Sequence, residues 1–411
     1  LVIFGFRINV FISNRIKKTS IFEEYYVDAK SANITYPEEK RNLIIIIAES
    51  MENTVLSKEN GGTWDIPIVP ELEQLALDNV NFSNTSKIGG ANQTYGANYS
   101  VAGTVAITSG IPLKTGDILT NKETYLEEGK YLSGAYTLGE ILAMQGYNLE
   151  IMLGSDSTFG GRKQYFETNG NYKVFDVNYA IQQGKMTENE KEWWGFEDDK
   201  LFQWSKEEIT NLAKQGSPFN YIMVTADTHF VDGYLSKNAE KKFDSQYENV
   251  YAYSSKSINE FVEWLKKQDF YENTTIVILG DHLGMQTDFY KQKMEDNYDR
   301  TIFNVIINGV IEAKNNKNRI FTSMDMYPTI LASIGIKIEG ERLGIGTNLY
   351  SGEPTLAELK GLEAFNDEIS KKSDWYNEHI LGDNYYVMKK NTQKESEVKN
   401  EENINNNTSI Q

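Results

Sequence analysis

Three short segments place acidic and imidazole side chains directly behind apolar runs. Glu49-Ser50 follows "NLIIIIA", Asp227-Thr228-His229 follows "FNYIMVTA", and Asp281-His282 follows "TTIVILG". The chain has 3 histidines in 411 residues, and two of them occupy these positions. The carboxylates of Glu49 and Asp281 with the imidazole of His282 make an oxygen-rich donor set that suits Mn²⁺ or Mg²⁺ and accommodates Zn²⁺. A fourth segment, "TYGANYSVAGTVAITSGIPL", gathers small residues around the hydroxyl of Ser100, continues as a short helix could, and breaks at Gly110 and Pro112. A hydroxyl bound to a divalent cation ionises more readily, and a helix N-terminus lends positive potential and free N–H groups to an anion. Ser100 therefore reads as the remaining metal ligand and a nucleophile for a phosphate or sulfate ester, or else as a plain helix N-cap.

With the metal assigned to Glu49, Ser100, Asp281 and His282, His229 is free to hydrogen-bond a phosphoryl oxygen or shuttle a proton. The third histidine, His379, lies far along the chain in "DWYNEHILGD", so one metal is expected rather than a pair. Arg162, in "SDSTFGGRKQYF", follows two glycines that would let backbone and guanidinium approach a phosphate closely; an ordinary surface arginine is the alternative. In "EWWGFEDDKLF", Asp198 and Asp199 precede a helical pattern, and capping is the expected role for one of them. Trp193 and Trp194 read either as a platform for sugar or lipid or as core.

The elements that must hold these residues are legible in the spacing. The runs at 42–48, 219–226, 274–280 and 302–308 are continuous and rich in β-branched residues, as strands buried on both faces are. Between them, 70–80, 137–146, 201–216 and 251–268 space apolar residues three and four apart, as helices do. Strands alternating with helices predict an α/β fold, a mostly parallel central sheet with helices on both faces. Such a sheet keeps its ligand site at the carboxyl ends of its strands, where the acids and histidines fall. A chain of this length fits one domain of roughly 250 to 350 residues with appendages.

Composition narrows the function further. A formal net charge of −18, without any long run of Lys and Arg, opposes a nucleic-acid partner. The absence of cysteine excludes disulfides, thiolate metal sites and cysteine nucleophiles. "NTQKESEVKNEENINNNTSIQ" has almost nothing to bury and is expected to be disordered. "LVIFGFRINVFI" is apolar but shorter than the roughly 20 residues that cross a bilayer. It reads as the end of a removed segment, as an amphipathic surface helix or as a buried edge. Arg15, Lys17 and Lys18 follow it and, under the positive-inside tendency, weigh towards a cytoplasmic location for what comes next.

"KRNLIIIIAESMENT", "GANYSVAGTVAITSGIPL", "DTHFVDGY" and "VILGDHLGM" resemble, in that order, the motifs of the lipoteichoic acid synthase and phosphoglycerol transferase family, within the alkaline phosphatase and sulfatase superfamily. The resemblance covers roughly residues 21 to 350 and includes "WWGFEDDKLF", "SMDMYPTILASIGI" and "RLGIGTNL". It implies a sulfatase-like fold with a small C-terminal subdomain, placed outside the cytoplasm behind a polytopic part in the cell membrane. On this reading residues 1–20 end a truncated membrane segment, 21–42 are a lead-in linker, 43–390 the catalytic domain and 391–411 a disordered tail. The implied activity moves glycerol phosphate from phosphatidylglycerol to a glycan or polyglycerol phosphate hydroxyl, usually with Mn²⁺. By motif, the family's metal-binding glutamate falls on Glu49, its nucleophile on Ser100, its other metal ligands on Asp281 and His282 and its substrate histidine on His229. Its phosphate-binding arginine falls on Arg162, and Asp156 is the candidate for glycerol binding. The family's nucleophile is ordinarily threonine, so Ser100 is a departure that keeps the hydroxyl and loses a methyl. A sulfatase would carry C/S-x-P-x-R where this chain has "SVAGT". The remaining alternatives are a phosphoethanolamine transferase of the same superfamily and a non-catalytic glycan- or lipid-binding module.

Overall fold

The computed structural model describes residues 17–114 and 130–382. Six strands build the central sheet: β1 (Asn42–Ala48), β2 (Asn148–Leu153), β3 (Lys173–Phe175), β4 (Phe219–Val224), β5 (Thr274–Gly280) and β6 (Asn304–Ile307). Their spatial order is β3-β2-β4-β1-β5-β6. All neighbours run parallel except β6, which is antiparallel to β5. The expected α/β architecture is therefore present. β1 sits in the middle, with Ile46 level with Met223 on one side and Ile278 on the other.

The unbroken apolar run of β1 has a physical reason, since all seven of its residues are buried. Leu43, Ile45 and Ile47 belong to one core and Ile44 and Ile46 to the other, one on each face of the sheet. Burying each such side chain contributes about 1.5–3 kcal/mol. The helices that matter for the site are α1 (Pro70–Asp78), α2 (Ser100–Ser109), α3 (Leu138–Met144), α4 (Arg162–Thr168), α5 (Asp198–Lys214), α6 (Gln246–Leu265) and α7 (Met326–Ser333). Helices α2, α3 and α7 cover the first face, and α1, α5 and α6 the second. In α2 every residue after Ser100 is buried. Its two internal threonines are tolerated there because their hydroxyls bond back to carbonyls one turn earlier, Thr104 to Ser100 at 2.8 Å and Thr108 to Thr104 at 2.7 Å. Gly110 ends the helix in the left-handed region (φ 65°), where its N–H reaches the Ala106 carbonyl.

Two strands, β2 and β3, were not expected. Glu150 interrupts the apolar pattern of β2, but its carboxylate is buried and meets Lys173 Nζ at 3.2 Å across the sheet edge. The stretch 21–42, expected as a linker, is fastened to the body. Phe22 is buried against Tyr376 with ring centroids 5.0 Å apart, and Ile34–Thr35 pairs antiparallel with Lys337–Ile338. The C-terminal part, from α7 through the small hairpin Arg342–Leu343/Gly346–Thr347, shares the α2 core. Among the described residues no helix is long and apolar enough to cross a membrane. The expected membrane-segment end (residues 1–16 of it), residues 383–390 and the expected disordered tail lie outside the described residues.

Candidate functional site

The strand ends converge as the parallel topology requires. Glu49 follows β1 and Asp281-His282 follows β5, its hydrogen-bonded neighbour. One ligand atom from each of Glu49, Asp281 and His282 lies within 4.8 Å of the others, and all three side chains are buried. Ser100 opens α2 immediately above them. Its Oγ donates to Glu49 Oε2 at 2.9 Å and stands 3.3 Å from His282 Nε2. The N-cap position belongs to Tyr99 and carries no side-chain cap bond, so the alternative of Ser100 as a plain N-cap does not hold.

The small residues of the Ser100 segment now have a purpose. A Cβ on Gly103, one turn into α2, would lie 2.2 Å from the backbone carbonyl oxygen of Asp281. Only glycine lets the helix approach the end of β5 closely enough for Ser100 to reach the acids. The acids are held from behind. Asp281 Oδ1 accepts the N–H groups of Ser50 and His282, both at 2.9 Å, and the Ser50 hydroxyl donates to Glu49 Oε1 at 2.7 Å. His282 Nδ1 donates to the Leu283 carbonyl at 2.8 Å, an acceptor-only partner that orients the ring and turns Nε2 towards Glu49 Oε1, 3.3 Å away.

The electrostatics of the cluster favour a cation. Asp281 Oδ2 is buried and accepts no hydrogen bond. Burial and the Glu49 carboxylate push the Asp281 carboxyl up to about 7. Burial also pushes Glu49 upward, but the His282 imidazole outweighs it and holds Glu49 at about 2. His282 resists burial because Asp281 and Glu49 raise it to about 10. Two carboxylates and an imidazole that compete for protons, with one oxygen left over, match the donor set of a divalent cation.

Above this cluster lies a cavity of about 480 Å³ lined by Ser100, Asp156, Arg162 and His229, among others. Arg162 heads α4 behind Gly160 and Gly161, both left-handed (φ 67° and 75°), which explains the glycine pair. Its Nη2 donates to Ser155 Oγ at 2.8 Å, while Nε is buried and donates to nothing. Burial lowers its pKa, opposed by Glu49 and Asp281. His229 Nδ1 donates to the Phe230 carbonyl at 2.7 Å, and Trp194 packs edge-on at 5.2 Å. Asp156 is exposed at the mouth, where its Oδ1 accepts the Thr158 N–H and hydroxyl. Glu49, Ser100, Asp156, Arg162, His229, Asp281 and His282, the seven residues that the motifs pointed to, thus lie in or directly beneath this one cavity.

Other expectations are corrected. Neither Asp198 nor Asp199 caps α5, whose N-cap is Glu197. The buried Asp198 instead accepts the N–H groups of Ala226 and Asp227, at 2.9 and 3.1 Å, and so fixes the loop that carries His229. Asp199 accepts from Ser236, Asn238 and Tyr253. Trp193 and Trp194 are not core, being 40% and 55% exposed. His379 stacks on Trp375 at 4.5 Å and does not line the cavity. Sequence reasoning missed Ser155, whose signal was its place directly behind β2, a strand that went unrecognised. It also missed the role of Ser50, which takes a left-handed φ of 55° and turns its N–H onto Asp281.

Residues 41–336 match the family model described as Sulfatase. Phosphoglycerol transferase I of Escherichia coli O127:H6 is 27% identical over 345 residues, which is 81% of this chain and 41% of that protein. The chain thus spans under half the length of the curated relatives it matches. The crystal structure of the lipoteichoic acid synthase LtaP from Listeria monocytogenes superposes with a TM-score of 0.60 at 18% identity, over 78% of this chain and 79% of that one. The Streptococcus pyogenes phosphoglycerol transferase GacH, in complex with sn-glycerol-1-phosphate, gives 0.52 at 15% identity, over 93% and 96%. Fold, strand-end acids and family model agree, and the chain belongs to the sulfatase family.

Proposed function

We propose that this chain is a metal-dependent phosphoglycerol transferase that takes glycerol phosphate from phosphatidylglycerol and passes it to a glycan or polyglycerol phosphate hydroxyl. The observation that carries the reading is one contact set: the Ser100 hydroxyl lies 2.9 Å from Glu49 and 3.3 Å from His282, under a cavity lined by Arg162 and His229. The relatives named phosphoglycerol transferase support the transferred group. Glu49, Ser100, Asp281 and His282 would hold one divalent cation, Mn²⁺ first, with Mg²⁺ and Zn²⁺ chemically admissible. When bound, it supplies positive charge that favours ionised serine and offsets charge on phosphoryl oxygens.

The residues divide the work in two steps. Ser100 Oγ attacks the phosphorus, and the bond from phosphorus to the diacylglycerol oxygen breaks. Arg162, with its unused Nε–H, binds phosphate oxygens; Asp156 at the mouth accepts from the glycerol hydroxyls. His229, with Nδ1 committed to Phe230, presents Nε2 to protonate the leaving diacylglycerol oxygen. The acceptor hydroxyl then returns that proton to His229 as its oxygen attacks the phosphorus of the glycerophospho-serine, and the bond from phosphorus to Ser100 Oγ breaks, releasing Ser100 in the ionised form in which it attacked. The body described here acts as the extracytoplasmic catalytic domain of a protein attached to the cell membrane.

The experiment is incubation with phosphatidylglycerol and Mn²⁺, following diacylglycerol release and intact protein mass. A glycerophosphate adduct on Ser100, absent with chelator and in Ser100→Ala, is expected. Full diacylglycerol release by Ser100→Ala refutes the covalent route. Turnover of phosphatidylethanolamine in place of phosphatidylglycerol moves the assignment to a phosphoethanolamine transferase.

A further inference from the structure

Of the 12 large apolar side chains exposed among the described residues, five line the cavity or sit next in the chain to residues that do: Phe159, Trp193, Trp194, Val231 and Met285. They come from four loops at the carboxyl edge of the sheet, after β2, before α5, after β4 and after β5. Phe159, Trp194 and Met285 line the cavity, and Trp193 packs on Trp194 with centroids 5.9 Å apart. The rim is fixed in place. Asp232 N–H donates to Gln286 Oε1 at 2.8 Å and Gln286 Nε2 donates to Asp232 Oδ1 at 2.6 Å, which ties the Val231 loop to the Met285 loop. Glu192 and Gly195 exchange backbone hydrogen bonds of 2.9 Å around the tryptophan pair. A collar of apolar groups held open to water around a cavity mouth marks an interaction surface.

We propose that this rim seats in the interfacial layer of a phospholipid bilayer, so that the cavity opens directly onto lipid headgroups. The inference rests on the lipid-donor reading above. A cavity of about 480 Å³ has the size of a small-molecule site and takes a headgroup, so the acyl chains must stay at the mouth, where the rim stands. Indole side chains favour the boundary between hydrocarbon and headgroups, and aliphatic neighbours such as Val231 and Met285 add area that enters hydrocarbon. A sugar platform calls for one aromatic face bordered by polar groups; an aliphatic and aromatic collar spread over four loops fits a bilayer better. The net charge of −18 opposes electrostatic adhesion to an anionic surface, which leaves apolar insertion as the means of attachment.

The test uses neutral vesicles of brominated phosphatidylcholine, which carry no donor headgroup, and reads quenching of tryptophan emission by the 411-residue chain. Val231→Glu is compared with wild type and with Met144→Glu, an even more exposed apolar position at the opposite end of the sheet, shortly before the start of β2. Wild type and Met144→Glu should quench alike, and Val231→Glu should need roughly tenfold more lipid for half quenching. Met285→Glu, on another loop, should behave as Val231→Glu does and covers the case in which that variant unfolds. Equal lipid demand in wild type and both rim variants, or no quenching of wild type, overturns the proposal. Quenching that follows this pattern without diacylglycerol release from phosphatidylglycerol upholds the rim and refutes the donor reading instead.

Discussion

Replacing Asp281 by asparagine should stabilise the metal-free protein and at the same time abolish its stabilisation by metal. Asp281 Oδ1 is fully used by two backbone N–H groups, whereas Oδ2 is buried, accepts nothing and faces Glu49 and His282 Nε2, the latter 3.6 Å away. Asparagine keeps the first acceptor, places an amide N–H₂ where the orphaned oxygen stood, and cancels one of two neighbouring negative charges. An unpaired buried acceptor costs about 1–3 kcal/mol, more when charged, so the variant should gain at least about 1 kcal/mol in chelator. The sign depends on pH. The folded pKa of Asp281 is raised to about 7, so ionisation costs stability as the pH rises from 4 to 7. The gain should be full above pH 7 and fade towards pH 4. Wild type with Mn²⁺ at about 100 times its dissociation constant gains about 2.7 kcal/mol, and the variant, short of a ligand, gains almost none. Urea unfolding followed by tryptophan fluorescence at pH 8, with EDTA and with Mn²⁺, should therefore show the two stabilities change order. A variant less stable than wild type in EDTA would mean that Asp281 is part of the scaffold. An equal gain from Mn²⁺ in both proteins would place the metal elsewhere.

Gly103→Ala should separate α2 from the end of β5, because its Cβ would fall 2.2 Å from the Asp281 carbonyl oxygen. Diacylglycerol release should fall by about 100-fold or more, the scale expected when a nucleophile is misplaced by about 1 Å, in a protein whose circular dichroism is unchanged; wild-type turnover would refute the close-approach argument. Asp227→Asn addresses the buried acids behind His229. Burial and Asp198 push the Asp227 carboxyl up to about 10, and burial pushes Asp198 up to about 7. Between pH 4 and these values the folded chain holds protons the unfolded chain has released, so stability falls as the pH rises. Asp227 Oδ2 has no hydrogen-bond partner, so the variant should gain about 1–3 kcal/mol over wild type at pH 9 and little at pH 4, and a pH-independent difference would refute the account.

Much of the site was written in local sequence. β1 and β5 have the bounds that their apolar runs predict, because a strand buried on both faces needs apolar residues at every position and so declares itself without its neighbours. The residues behind those runs are polar because a parallel sheet leaves its carboxyl ends open, and Glu49, Asp281 and His282 were legible for that reason. Other features needed partners far along the chain. β2 was hidden by Glu150, which is acceptable only because Lys173 comes alongside. Asp198 looked like a helix cap until the 226–227 loop supplied its donors. Gly103 read as one small residue among several, and only the position of Asp281 makes it indispensable. The rim depends on four segments spread over more than a hundred residues of chain, and nothing local distinguishes Val231 or Met285 from an ordinary exposed side chain. Sequence alone determined which chemical groups are available and which elements carry them, since periodicity and residue type are local properties. Tertiary structure alone decided which groups face one another, because distance, burial and the local dielectric are set by residues remote in the chain.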